Sequence, residues 1–148
     1  MLQVTSYKLQ ENGFSLIEIL LAASLFSFII TALVGAFIYG QESTALSGMR
    51  FRAELLAEEG LEAARNIRDE NFANLNVADN KYGLVISGNQ WIFSGTSDAT
   101  GIFTRQIIIS TIDANRKQII SNVSWQQTPL RSGSISLISY LTNWRAPR

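Results

Sequence analysis

The chain holds no cysteine and no histidine. No disulfide can close it, whatever the redox state of its surroundings. Thiol and imidazole nucleophiles, imidazole bases and Cys/His zinc sites are excluded together. Lys and Arg number 12 against 12 Asp and Glu, so no global field points to nucleic acid or to a membrane surface. Only carboxylate, Ser/Thr, Lys or Tyr chemistry remains, and the spacing of these residues supports none. A phosphate-binding glycine loop, an EF-hand pattern and internal repeats are also missing. With 148 residues there is room for one modest domain plus an appendage.

What the chain has in excess is one apolar run. From Phe14 to Tyr39 its 26 residues carry a single charge, Glu18. At about 1.5 Å per residue such a helix spans roughly 39 Å, enough to cross a hydrocarbon core of about 30 Å. A soluble domain of this size could hardly cover a helix that is apolar on every side. The apolar part of a secretory signal is shorter, about 7 to 15 residues, and follows a basic segment. Here the preceding stretch, MLQVTSYKLQENG, is polar, with Lys8 and Glu11 its only charges. A cleavage site before the run fits better than one after it.

Glu18 needs its own account. An acidic side chain costs about 2.5 to 3.5 kcal/mol at the centre of a membrane helix, and less toward the interface. The positive end of the helix dipole returns up to about 1 kcal/mol. Neither figure explains its presence, and an intramembrane carboxylate calls for a named partner. Cutting the chain between Gly13 and Phe14 creates one. The new α-amino group on Phe14 stands four residues before Glu18, on the same helical face. That amine pairs with Glu18 of its own chain or with that of a neighbour.

Gly13-Phe14-Ser15-Leu16-Ile17-Glu18, leading into a long apolar helix, closely resembles the class III signal of type IV pilins and pseudopilins. The resemblance implies that a membrane-embedded prepilin peptidase cuts after Gly13. The same enzyme, acting as methyltransferase, would methylate the amine of Phe14. Glu18 would then recruit and register subunits by pairing with a neighbour's amine. The partners implied are this enzyme, other pilin-like subunits in homo- or hetero-assembly, and inner-membrane lipid before assembly. The precursor would sit in a bacterial inner membrane with its leader cytoplasmic and its C-terminal domain outside, and would end in an extracellular or periplasmic filament. Two departures stand out. The leader carries a weak positive bias. Where many pilins have a proline about five turns beyond the cut, Gly35 stands instead, costing about 1 kcal/mol of helix propensity relative to Ala. Local melting is therefore open there.

Two rows of small residues recur at i, i+4 spacing in this helix, Ser27/Thr31/Gly35 and Ala32/Ala36/Gly40. Such rows let helices approach closely where no hydrophobic effect drives association. Helical patterning continues beyond Tyr39. Met49, Ala53, Leu56, Ala63 and Ile67 form a stripe that Gly60 interrupts, with charged residues on the other faces. The stretch EEGLEAARNIRD also resembles a segment that follows the membrane helix in some bacterial minor pilin-like proteins. The helix is expected to end near Asp69, where an Asn-rich stretch favours turns.

After Lys81 the period becomes alternating. Leu84–Ile86 and Trp91–Phe93 flank Ser87-Gly88-Asn89-Gln90, where Gly-Asn suits a two-residue hairpin turn. Residues 102–112 and 117–125 form a second pair around Asp113-Ala114-Asn115-Arg116. Ile119, Val123 and Trp125 are expected on one face and Ile120, Asn122 and Ser124 on the other. A last strand, 134–144, follows the breakers Pro129 and Gly133, held by pairing and by burial of Tyr140 and Trp144. The expected fold is α+β and pilin-like: one long N-terminal helix packed on four or five antiparallel strands. Its segments are a cleaved leader (1–13), a membrane and assembly helix (14–40), an amphipathic continuation (41–70), a linker (71–80) and a β domain (81–148).

Charge is unevenly divided. Residues 41–80 hold four Arg against eight Asp and Glu, while residues 81–148 hold seven Lys and Arg against two Asp. Three readings stand side by side: complementarity between helix and sheet of different subunits, DNA contact through Arg105, Arg116, Lys117 and Arg131, and a solvated mixed surface. Asp69, Glu70 and Asp79 fit no defensible Ca²⁺ loop. The resemblance of the signal implies a non-enzymatic structural subunit of a type IV pilus or a related secretion or DNA-uptake filament, and no metal or cofactor is expected. The missing disulfide agrees better with a minor pilin or pseudopilin than with a major subunit. The rival is a stand-alone membrane-anchored binding domain outside the cytoplasm, for a ligand or DNA.

Overall fold

A computed structural model describes Gly13 and residues 15–76, 81–129 and 131–145. The leader's first twelve residues, Phe14 and Asp79 lie outside the described residues. Helix α1 (Leu16–Glu70) is followed by a short 3₁₀ turn (Phe72–Leu75). Six strands follow: β1 (Lys81–Ser87), β2 (Gln90–Ser94), β3 (Asp98–Thr100), β4 (Phe103–Asp113), β5 (Arg116–Thr128) and β6 (Arg131–Thr142). Two compact units divide the chain, residues 1–43 and 44–148.

The fold is α+β, with the second half of α1 packed on one antiparallel sheet ordered β2-β1-β4-β5-β6, and β3 paired to β4. The sheet therefore has six strands rather than four or five. The extra one, β3, has three residues, too few for an alternating pattern to show. The first hairpin turns through Gly88 and Asn89, with Ser87 opposite Gln90. Both turn residues have positive φ, 58° and 64°, the condition for a turn whose twist matches that of its strands. Gly supplies that backbone without strain, and Asn tolerates it.

Along β4, β5 and β6 burial alternates with the pleat. Ile107, Ile109, Ile119 and Leu141 meet Leu61, Ala64 and Ile67 of the helix in one core. Ala53 and Ala57 meet Phe103, Val123 and Trp125 in another. Each large aliphatic residue so buried contributes about 1.5 to 3 kcal/mol. The sequence stripe continues through Gly60 instead of breaking there. Gly60 is buried, and a Cβ on it would stand 2.5 Å from Ser121 Oγ and 2.9 Å from Ile107 Cδ1. It marks a close approach of helix and sheet.

Gly133 is likewise no breaker. It lies inside β6 opposite Trp125, and a Cβ there would meet the indole at 2.4 Å. Glycine in a strand interior often marks such an approach. β6 accordingly begins at Arg131. Tyr140 and Trp144 do not anchor it by burial, being 62% and 61% exposed. Leu141 is buried, and the two-residue period that turns it inward turns Tyr140 outward.

Candidate functional site

Unit 1 carries the residues to which the sequence points. Ser15 opens α1: its carbonyl accepts the Glu18 N–H at 2.9 Å and the Ile19 N–H at 3.2 Å. The side chain of Glu18 thus lies in the first turn, where free backbone N–H groups favour an anion. It is exposed, beside an apolar surface formed by Ile19, Ala22, Ala23 and Phe26. Among the described residues it has no ion-pair partner. Gly13 is exposed. The scissile bond proposed from the sequence and the amine it would free involve Phe14, outside the described residues.

α1 is long and apolar enough to cross a membrane, and its most apolar stretch holds no buried residue. Helical geometry runs without interruption through Gly35. At about 100° per residue, Ala36 shares the azimuth of Glu18, with Ala32 and Gly40 about 40° to either side. Ser27, Thr31 and Gly35 lie on a different side, centred roughly 140° away. The two rows therefore serve two faces, and only Ala32/Ala36/Gly40 continues the face of the carboxylate. Ser27 donates its hydroxyl to the Ala23 carbonyl at 2.8 Å, and Thr31 to that of Ser27 at 2.9 Å. These hydroxyls are satisfied within their own helix and present a small surface without a polar demand. A Cβ on Gly35 or Gly40 would meet nothing within 4 Å.

In unit 2 the sequence missed a buried ionic cluster. Arg105, 5% exposed, reaches from β4 to Asp98 on β3 through Nη2–Oδ2 at 2.9 Å and Nε–Oδ1 at 3.3 Å. Its Nη1 donates to the Leu56 carbonyl at 3.1 Å and to Glu59 Oε2 at 3.2 Å, both on α1. Asp98 Oδ1 also accepts the Leu84 N–H at 2.9 Å. Trp91 lies under the guanidinium at 6.0 Å. Arg105 and Asp98 together tie the helix, β1, β3 and β4 to one another. The cations singled out for DNA do not form a common surface. Arg105 and Lys117 are buried, Lys117 Nζ donating to Thr111 Oγ1 at 2.7 Å, and Arg116 pairs with Asp113 at 2.6 Å. Within the chain one ion pair joins helix and sheet, between Glu59 and Arg105.

A polar cavity of about 500 Å³ lies among residues that include Arg68, Asn76, Asn143, Trp144 and Arg145. Asp69 stands beside it. The Arg68 guanidinium, followed by the Trp144 indole N–H at 3.3 Å, holds the Asp69 carboxyl below the usual carboxylate range. Asp113 is lowered too, by Arg116 first and then by the Asn115 N–H. Among the described residues no group of three or more Asp and Glu could hold a metal ion. No protein-family model, curated protein or solved structure matches the chain.

Proposed function

We propose that the chain is a prepilin-like structural subunit, cut between Gly13 and Phe14 and assembled through its N-terminal helix into a type IV pilus or a related filament. The observation that carries this reading is Glu18. A carboxylate in the first turn of a membrane-length helix, exposed and without a cation among the described residues, is expensive unless a partner arrives. Cleavage after Gly13 supplies that partner in the same step that removes the polar leader. The small row Ala32/Ala36/Gly40, on the azimuth of Glu18 but farther along the helix beyond Leu25 and Ile29, supports close approach by a second helix. The α+β domain is the architecture that the resemblance of the signal implies.

Replacing the acid separates cutting from assembly. Glu18→Ala is expected to be cut as efficiently as the parent chain yet to be absent from sheared filaments by immunoblot. Normal incorporation of that variant would remove the role given to Glu18. The polar cavity beside Trp144 favours a second reading, a stand-alone membrane-anchored binding domain. That reading predicts a chain that keeps its leader and functions uncut.

A further inference from the structure

We infer that the sheet extends between chains: β6 of one copy accepts β2 of a second copy, side by side and in the same direction. Among the described residues β6 pairs only with β5, and β2 only with β1. Alternate backbone N–H and C=O groups of both strands therefore point away from the sheet. Sheets ordinarily guard such an edge with lysine, proline, a bulge or a very short strand. From Ser132 to Thr142, β6 has eleven consecutive residues with neither charge nor proline. β2, QWIFS, is uncharged as well.

The two edges match on both faces. Ile108, Ile120 and Ile138 stand opposite one another across β4, β5 and β6, on the face turned away from α1. The row ends at Ile138, which is 56% exposed. On β2, Ile92 shares that outward face through its pairing with Val85, and it too is exposed. Trp91 and Phe93 point to the helix side and are half-buried, as are Ile135 and Leu137 of β6. Setting Ile92 beside Ile138 continues the isoleucine row and brings Trp91 and Phe93 next to Leu137 and Ser139.

Direction selects β2 over a second β6. Every step in β2-β1-β4-β5-β6 is antiparallel, so β2 and β6 run the same way. Two copies that keep one orientation and one helix face can then pair β6 with β2 in parallel. An antiparallel β6–β6 contact would be isologous, closing after two copies and leaving the uncharged edge of β2 bare. The head-to-tail contact leaves a free edge at each end and so propagates. Five residues of β2 make a weak contact alone, but tethering raises the effective concentration to about the millimolar range. The inference deepens the assembly proposed above and rests on it only for the shared orientation of the copies.

A chain without cysteine gives each introduced thiol a unique address. Full-length Ile92→Cys and Ile138→Cys chains are co-expressed in a host lacking prepilin peptidase, and the membranes are treated with a short bis-maleimide. The heterodimer band should exceed, by about ten-fold, that from Ile92→Cys with Ser110→Cys, a central outward position, because pairing at the edge raises effective concentration. Adding the guard substitution Ile138→Lys to an Ile92→Cys and Tyr140→Cys pair should abolish the product while leaving the melting temperature unchanged. Equal yields with Ser110→Cys, no heterodimer, or a dominant Ile138→Cys homodimer would each overturn the edge contact. If crosslinking fails while the parent chain, expressed separately with an active prepilin peptidase, begins at Phe14, the contact falls and the assembly reading stands. If crosslinking succeeds while that separately expressed chain keeps its leader, the reverse holds.

Discussion

Removing the carboxylate of Asp98 should cost the domain more than removing any other single charge among the described residues. Arg105 has 6% of its side chain exposed, against 21% for Asp98 and 46% for Glu59. Asp98→Ala leaves a buried guanidinium with the Leu56 carbonyl and a half-solvated Glu59 as acceptors, and frees the Leu84 N–H. Breaking a buried pair from one side costs about 3 to 5 kcal/mol. Glu59→Ala removes a water-screened partner and should cost about 0 to 1 kcal/mol. Arg105→Met with Asp98→Ala removes both charges, and an apolar replacement of a buried pair is often close to neutral. The double variant should therefore be more stable than Asp98→Ala alone, which separates an uncompensated charge from lost packing. Urea unfolding of the full chain in detergent micelles, followed by tryptophan fluorescence, reads the difference. With a slope of about 2 kcal/mol per molar urea, the Asp98→Ala midpoint should fall by roughly 1.5 to 2.5 M. A loss under about 1 kcal/mol for Asp98→Ala, or an equal loss for Glu59→Ala, would refute the assignment of Arg105 as a buried tie.

Gly83→Ala should destabilise more than Gly60→Ala. A Cβ at Gly83 would stand 2.4 Å from the Ser97 backbone, whereas at Gly60 the nearest atoms are side-chain ends. Overpacking costs about 1 to 3 kcal/mol, and at Gly60 about 1 kcal/mol of helix propensity offsets it; melting temperatures of the two variants rank them. Gly133→Ala should shift the near-ultraviolet signal of Trp125, on which its Cβ would press. The lowered Asp69 carboxyl contributes fully above the ordinary aspartate value of about 3.9, and its contribution disappears as pH falls through the lower folded value. An acid titration should therefore show a Trp144 fluorescence step below the ordinary range, and Asp69→Asn should remove it.

Much of the fold was legible because two periods do not overlap. One unbroken apolar run marks the membrane-length helix, the segments 102–112 and 117–125 mark β4 and β5, and the alternation in the second marks the inward face of β5. Gly88-Asn89 announced its turn because few other residues accept positive φ twice in succession. What was not legible depends on residues far apart in the chain. Gly60 and Gly133 read as interruptions because only the facing Ser121 and Trp125 give them a role. Arg105 read as a surface cation because its partners lie at positions 56, 59 and 98. The outward turn of Tyr140 was readable from the parity of Leu137 and Leu141, but aromatic bulk suggested burial instead. At the candidate site, Gly13 and Glu18 declare themselves in a hexapeptide because that chemistry is local. The faces of the small-residue rows needed helical geometry to separate.

The central claim concerns a bond, and its most direct test is the N-terminus of the mature chain. Expressed with an active prepilin peptidase and recovered from membranes or filaments, the protein should yield an intact mass and an N-terminal sequence beginning at Phe14, with one methyl group added to the amine. A chain that still begins at Met1 under those conditions would leave Glu18 without the partner the account supplies, and would contradict it.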